Sequence, residues 1–319
     1  MYTIGVDLGG TNIAIGLCDA ELKLVDKGSV PTPQNDPEKI VKEMAALARL
    51  LIERNSVMLD EVEYVGIAVP GAADDKSGTV IYTPNLPFKD YQIAEVFKKF
   101  LPVQRVILAN DANAAALGEA LAGAARGAAG CIMVTLGTGV GGGIIINGKI
   151  FSGSLNSLGA EIGHTVIAAG GRQCGCGRRG CWEAYSSATA LKNMTSEKMQ
   201  ELSLKGIPSL LFEEAEKEGK VSARTAFNAM KRADTHAKAV VDEYIYYLGT
   251  GIANMINIFQ PEVVIIGGGV SGERENLTAP LSAMVNTEQY TRNSEKKAKI
   301  VTATLGNDAG IIGAAGLGR

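Results

Sequence analysis

The chain has 319 residues, 46% hydrophobic and 20% charged, a globular composition with length enough for two domains. A net charge of −3 at pH 7 leaves no cationic footprint for nucleic acid or for an anionic membrane. Five cysteines, three of them in one loop, do not form a closed disulfide framework. With an opening that runs straight into a strand instead of a signal core, they predict a cytoplasmic protein.

"YTIGVDLGG" reads as a strand ending in a glycine turn, and "NIAIGLCDA" as the strand that follows. A strand with a Pro-rich exit, "KGSVPTP", comes next. Asp36 is then placed to cap a helix with Pro37 in its first turn, and Ile40, Met44, Leu47 and Leu51 recur on one helical face. The buried strand "VEYVGIAVPG" leads to a loop through "TPNLPF", an amphipathic helix, the strand "RVILANDAN" and an alanine-rich helix.

"CIMVTLGTGVGGGIIING" then repeats the plan of the opening, with Ile132 lying 128 residues beyond Ile4. Such a duplication predicts two related domains. Residues 128–146 are uncharged and contain a G-x-x-x-G spacing, but glycines and threonines interrupt them, so strand, turn and strand is expected instead of a membrane span. The long helices beyond the cysteine loop, the strand "EVVIIGGGVSG" and a last turn "LGNDAGIIGAAG" close the chain.

Three glycine loops follow strands, at Asp7–Thr11, Gly137–Gly143 and Gly267–Ser271. Glycine lets backbone N–H groups converge on an anion, and a Thr or Ser hydroxyl adds a donor. Plain hairpin turns are the alternative; recurrence at strand ends together with the duplication favours phosphate. Two familiar motifs also fit and are rejected. Gly137-x-Gly139-x-x-Gly142 would have to open a helix, yet "IIING" follows. Gly143-x4-Gly148-Lys149 lacks the Ser or Thr of a Walker A loop, because Ile150 stands there.

Asp7 beside a phosphate cradle makes sense if Mg²⁺ lies between them, the alternative being a turn aspartate. Asn110, Asp111 and Asn113 sit at the carboxyl end of a strand, where open α/β sheets place ligands, although each is also a good helix cap. Asp111 there has the position of a general base for phosphoryl transfer. Glu161, His164 and Glu183 bracket the cysteine loop and suit the hydroxyls of a sugar, or else are solvated surface groups. His164, Cys174, Cys176 and Cys181 make a closed Cys₃His set, which is structural zinc chemistry, and a redox pair would leave Cys181 and His164 without a role. One imidazole nitrogen of His164 would bind zinc while the other faces the ligand. Arg178 and Arg179 are placed to offset the thiolate charge, and His236 reads as surface.

Taken together, "DLGGTN", "LANDANAAALGEA", "LGTGVGGG", "GAEIGHT", "CGCGRRGCWEAYSS" and "IIGGGVS", in that order over nearly the whole chain, resemble the ROK family of sugar kinases. The resemblance implies an α/β, two-domain ATPase fold shared by actin, hexokinase and Hsp70, with duplicated ribonuclease H-like domains and an interdomain cleft. The small domain is expected over residues 1–115 and 306–319. The large one, over 116–305, would carry the zinc loop and the contacts of a homodimer or homotetramer. The implied activity is ATP- and Mg²⁺-dependent phosphorylation of a hexose 6-hydroxyl. "CWEAYSS" leans toward glucose over mannose, allose, fructose or N-acetylmannosamine. Asp111 would be the base, with Asn85, Asn110, Glu161, His164 and Glu183 holding the sugar. Gly9, Gly10, Thr11, Gly137, Thr138 and Gly139 would line the phosphates, and Gly268 and Gly269 the nucleoside. His164, Cys174, Cys176 and Cys181 match the family's zinc ligands. The family's repressors carry a helix-turn-helix ahead of this core, for which a strand starting at residue 2 leaves no room. A sugar sensor without catalysis is the rival reading.

Overall fold

Alternating apolar residues and two glycine turns set the first sheet, and the computed structural model, which describes residues 1–154 and 159–319, follows that pattern closely. Strands β1 (Tyr2–Leu8) and β2 (Asn12–Cys18) pair antiparallel around the first glycine turn, and β3 (Leu24–Pro31) adds an edge. Helix α1 (Pro37–Arg54) starts where Asp36 accepts from the Lys39 amide at 3.0 Å, a cap worth about 1 kcal/mol. It buries Ile40, Met44, Leu47 and Leu51, each worth roughly 1.5–3 kcal/mol by transfer out of water. The parallel strand β4 (Val62–Val69) joins β1 on its other side. A small antiparallel sheet of β5 (Ala72–Asp74), β6 (Thr79–Tyr82) and β7 (Lys89–Tyr91) precedes α2 (Ile93–Phe100). Strand β8 (Val106–Asn110) then runs parallel to β4 and passes directly into α3 (Asp111–Ala122).

The second sheet repeats this plan. It comprises β9 (Gly130–Leu136), β10 (Val140–Ile146) and β11 (Lys149–Ile150). Asn147 and Gly148 turn between the last two with φ of 50° and 74°, the left-handed pair a tight hairpin requires. Gly148 and Lys149 therefore belong to a hairpin, and a strand follows Gly137–Gly142, so neither rejected motif has its structural context. The apolar stretch 128–146 is strand, turn and strand, and no helix among the described residues is long and apolar enough to cross a membrane. After the cysteine loop come α4 (Glu183–Ser186), α5 (Ala188–Leu204), α6 (Leu210–Lys217), α7 (Thr225–Lys231) and α8 (Thr235–Phe259). Strand β12 (Val263–Gly267), helix α9 (Glu275–Glu288), strand β13 (Lys299–Thr302) and helix α10 (Ala309–Ala315) complete the order. The two sheets read β3-β2-β1-β4-β8 and β11-β10-β9-β12-β13. Ile4 and Ile132 both lie on the middle strand, as the sequence repeat requires.

Two units result, one of Met1–Cys131, Gly143–Ala160 and Ala303–Arg319, the other of Ile132–Gly142 and Glu161–Thr302. In the first, α10 is buried along its whole length against α3, β1 and β4. The approach is close enough that a Cβ on Gly5, Gly66 or Gly313 would strike a backbone carbonyl of the facing element. Glu119 of α3 is fully buried, yet satisfied by the amides of Ala124, Thr304 and Leu305 at 2.7–2.9 Å and by the Thr304 hydroxyl. Four donors offset the desolvation of that charge and pin the chain's return toward α10. In the second unit α8 is the spine, capped by Asp234 and buried through Tyr244, Leu248, Ile252 and Ile256. Gly251 lies flat beneath the buried indole of Trp182.

Candidate active site

In the first unit the site grows from the β1–β2 turn. The Gly9 amide donates to the Asn12 carbonyl at 3.0 Å, and Thr32 clamps the turn by donating its hydroxyl to the Gly9 carbonyl and its amide to that of Thr11. Asn85, exposed between β6 and β7, lies beside Gly10. Asn110 caps α3: its Oδ1 accepts from the amides of Ala112 and Asn113, and its Nδ2 donates to the Gly71 carbonyl at 3.0 Å. That leaves Asp111 as the first helical residue, fixed by the Ala112 amide at 2.8 Å. Burial lifts the Asp111 carboxyl above the usual range against its hydrogen bonds, and Asp7 is pushed up to about 6, first by burial and then by the charge of Asp111. Gly310 of α10 packs against the Asp7 carboxylate, where a Cβ would collide with it. A cavity of about 540 Å³ opens here, lined by Asp7, Gly9, Asn12 and Ser29, with Lys27 paired to Asp308 at 2.8 Å on its wall. Two half-buried carboxylates, the charge of one disfavouring that of the other, beside a hydroxyl- and amide-rich turn suit a hard divalent cation.

In the second unit the cysteine loop is folded by its glycines. Gly177 and Gly180 adopt φ of 89° and 81°, and a Cβ on Gly180 would strike the Ala168 carbonyl. The turn returns the Gly177 amide to the Cys174 carbonyl and the Cys174 amide to the Arg178 carbonyl. His164 ends a short 3₁₀ turn, Ile162–His164, that starts at Glu161. Its Nδ1 faces Cys174 Sγ at 3.7 Å, Cys176 Sγ lies 3.7 Å from Cys181 Sγ, and the four ligand atoms all fall within 4.8 Å of one another. Two of these separations match the edges of about 3.6–3.8 Å of a tetrahedral zinc site, and three thiols with one imidazole are the donors that metal takes. The Arg178 guanidinium bonds the His164 carbonyl at 3.2 Å at the rim of the cluster.

Glu183 joins this loop to the second glycine turn. Its Oε2 accepts from the Val140 amide at 3.1 Å, and Oε1 receives the Cys174 thiol at 3.5 Å. The start of α5 completes the clamp, with the Ala188 amide on the Gly137 carbonyl at 2.9 Å and the Thr189 hydroxyl on that of Thr138 at 2.8 Å. A cavity of about 250 Å³ beside Thr138 carries Thr189, Lys192, Lys220 and Ser222. Gly268, with φ of 80°, packs against the Leu136 backbone, and Gly269 begins the turn Gly269–Glu273. His236 lies half-buried in the first turn of α8, away from these groups.

Asp7, Gly9, Gly10, Thr11, Asn85, Asn110 and Asp111 thus belong to the first unit. Gly137, Thr138, Gly139, Glu161, His164, Cys174, Cys176, Cys181, Glu183, Gly268 and Gly269 belong to the second. Sequence reasoning missed Thr32, Thr189, Lys192, Lys220 and Gly310. The run Ser187-Ala-Thr189 carried a helix-cap signal that could have pointed to Thr189; the others act across long sequence separations and left none.

The profile of the ROK family matches residues 3–319. The chain belongs to the ROK family. This ROK chain shares 37% identity with a glucokinase of Halalkalibacterium halodurans over 315 residues, 98% of the chain and 93% of that protein. A solved structure of a ROK family glucokinase from Streptomyces griseus, in complex with glucose and AMPPNP, superposes with a TM-score of 0.76 at 34% identity, covering 99% of both chains. An N-acetylgalactosamine kinase of Shewanella sp. is 32% identical over 329 residues, 99% of this chain and 96% of its own length. The fold of the ROK chain is the duplicated actin/hexokinase-like ATPase fold of these neighbours.

Proposed function

We propose that this ROK chain is an ATP- and Mg²⁺-dependent hexose 6-kinase with glucose as its sugar. The observation that carries the reading is the pair Asp7 and Asp111, two half-buried carboxylates of raised pKa beside a glycine turn. The glucokinases among its relatives supply the sugar.

Asp111 takes the proton of the 6-hydroxyl as the new O–P bond forms and the bond from the γ-phosphorus to ADP breaks. Asn110 holds the base by capping the helix that starts with it, and its free amide hydrogen is available to the sugar. Glu161, His164 and Glu183 accept and orient hydroxyls, and Asn85 contributes from its loop beside Gly10. Gly9, Gly10, Thr11, Gly137, Thr138 and Gly139 cradle the phosphates, with Lys192 and Lys220 adding positive charge. Gly268 and Gly269 take the nucleoside. Asp7 would hold Mg²⁺, which neutralises phosphate charge when bound. His164, Cys174, Cys176 and Cys181 would hold a structural zinc that fixes the loop carrying His164 and Glu183. The chain would work as a homodimer or homotetramer, with a small domain of 1–115 and 306–319 and a large one of 116–305.

The test is ADP release from Mg-ATP across glucose, mannose, allose, fructose, N-acetylmannosamine and N-acetylgalactosamine, with a no-sugar control. Glucose-dependent release supports the reading in full. Release with another sugar keeps the mechanism and changes the substrate, an outcome the N-acetylgalactosamine kinase relative makes worth testing. Silence across the panel, with zinc present, would overturn the kinase in favour of a sugar sensor.

A further inference from the structure

A second cavity, of about 380 Å³, lies within the first unit along the outer edge of β8, from Arg105 at its start to Asn110 at its end. Helix α3, the β10–β11 hairpin and the chain's last residues complete its wall. None of the phosphate-turn residues and neither Asp7 nor Asp111 lines it. It is a separate chamber that touches the proposed site only through Asn110.

Its chemistry is specific. Arg105, Lys149 and Arg319 bring three cations to the lining. The Arg319 guanidinium bonds the Ala20 carbonyl at 2.6 Å, whereas Arg105 and Lys149 have no side-chain ion pair or hydrogen bond among the described residues. The one acidic side chain in the lining, Asp75, accepts from the Leu108 amide at 2.9 Å. Asn113 belongs to the same wall from the first turn of α3, 6% exposed, and its Oδ1 is buried without a hydrogen-bond partner among the described residues. A buried acceptor of this kind needs a donor. Ser152 adds a hydroxyl. Arg105 and Lys149 are both exposed, and two cations sharing one pocket favour an anion, while the orphaned carbonyl oxygen calls for a hydroxyl. The volume lies at the lower end of the range for small-molecule sites, which suits a ligand of monosaccharide size.

We infer that this cavity binds a small polyol phosphate monoester, its phosphate on Arg105 and Lys149 and a hydroxyl donating to Asn113 Oδ1. Asn110 caps α3 and Asn113 stands in its first turn, which begins with Asp111, so an occupant stiffens or shifts the turn that carries the proposed base. The effect on turnover rests on the kinase reading above; the binding does not.

Calorimetric titration with a hexose 6-phosphate, in the presence of saturating sugar to block the sugar site, tests the cavity directly. Inorganic phosphate and glycerol 3-phosphate serve as comparison ligands. Saturable binding is expected, tighter for the polyol phosphates than for inorganic phosphate and at least tenfold weaker in Arg105→Gln/Lys149→Gln. Without the phosphate ester, ADP release by this double variant is expected to match the parent protein. Tighter binding of hexose 6-phosphate than of glycerol 3-phosphate would identify the reaction's own product type as occupant, and the reverse order a shorter polyol phosphate. Asn113→Leu is expected to erase the preference over inorganic phosphate while leaving phosphate binding in place. Absence of saturable binding, affinity unchanged in the double variant, or inorganic phosphate binding as tightly as the esters would each overturn the inference. The titration reads the cavity and ADP release reads the kinase, so failure of either is seen separately.

Discussion

Asp7, at the end of β1, lies in the field of Asp111, at the start of α3, and burial first and that charge second push its carboxyl up to about 6 from an ordinary 3.8. The folded chain therefore holds the Asp7 proton more tightly than the unfolded chain. That contribution to stability is complete below pH 4 and is lost as pH rises through 6. Two pKa units correspond to about 3 kcal/mol, a ceiling for a partly solvated group. Asp7→Asn is expected to raise the unfolding free energy of the ligand-free protein by 1 to about 3 kcal/mol at pH 7.5 and hardly at all at pH 4. Denaturant titrations at the two pH values check this; an equal gain at both would remove the electrostatic explanation.

Asp111→Asn preserves the shape of the helix start and removes the base. The proposed role predicts a fall in kcat of about 10²–10⁴ with sugar affinity nearly intact, read by ADP release and by calorimetry with sugar alone. Because burial raises the Asp111 carboxyl above its ordinary range, the acid limb of kcat/KM in the parent protein is expected above the ordinary carboxylate range. A limb centred near pH 4 would mean that this group does not govern the rate.

Much of this was legible locally. The Asp36-Pro37 start, the Asn147-Gly148 hairpin and the strand before each glycine turn are decided by residues within a few positions of one another, and the sequence pattern carried them. The Ile4 and Ile132 repeat pointed to a duplicated strand–turn–strand unit, and both residues lie on the middle strand of a five-stranded sheet. The clamps were not legible. Thr32 closes the first turn from 23 residues away, and Glu119 holds Thr304 from 185. Nothing near either residue announces its partner. Gly310 looks like any helix glycine until the Asp7 carboxylate is seen against it. At Asn110 the capping and ligand-binding readings were both open, and its two amide ends show how one side chain can serve both: Oδ1 caps the helix while Nδ2 keeps a hydrogen to give.

Cys176→Ser tests whether the cysteine loop positions the sugar residues. The variant would remove one ligand from the proposed zinc set, whose other members are His164, Cys174 and Cys181, the last lying two residues before Glu183. Zinc content measured by atomic absorption is expected to fall below one per chain, with sugar affinity reduced at least tenfold. Trp182, the only tryptophan, is buried between Cys181 and Glu183, so its emission should shift to the red in the same variant. Unchanged sugar affinity with zinc gone would separate the loop from substrate binding.

Thr189→Val removes the hydroxyl that holds the Thr138 carbonyl and keeps the side chain's volume. One hydrogen bond contributes about 1 kcal/mol, about a fivefold effect. KM for ATP is expected to rise by about that factor while KM for the sugar stays level, since the contact fixes the turn proposed to hold phosphate. Equal changes in both constants would point to a general loosening of α5 instead.

Gly251→Ala would place a methyl group into the Trp182 indole. Trp182 is fully buried, and the facing α8 backbone cannot retreat without disturbing Leu248 and Ile252 on the same buried face. Overpacking of this kind costs about 1–3 kcal/mol. Trp182 immediately precedes Glu183, whose carboxylate holds the Val140 amide beside the phosphate turn, so the strain should reach function as well as stability. The variant is expected to unfold at lower denaturant and to show a weaker affinity for both ATP and sugar, with its zinc retained. Loss of stability with both affinities untouched would show that the indole supports α8 alone and that Glu183 is positioned independently of it.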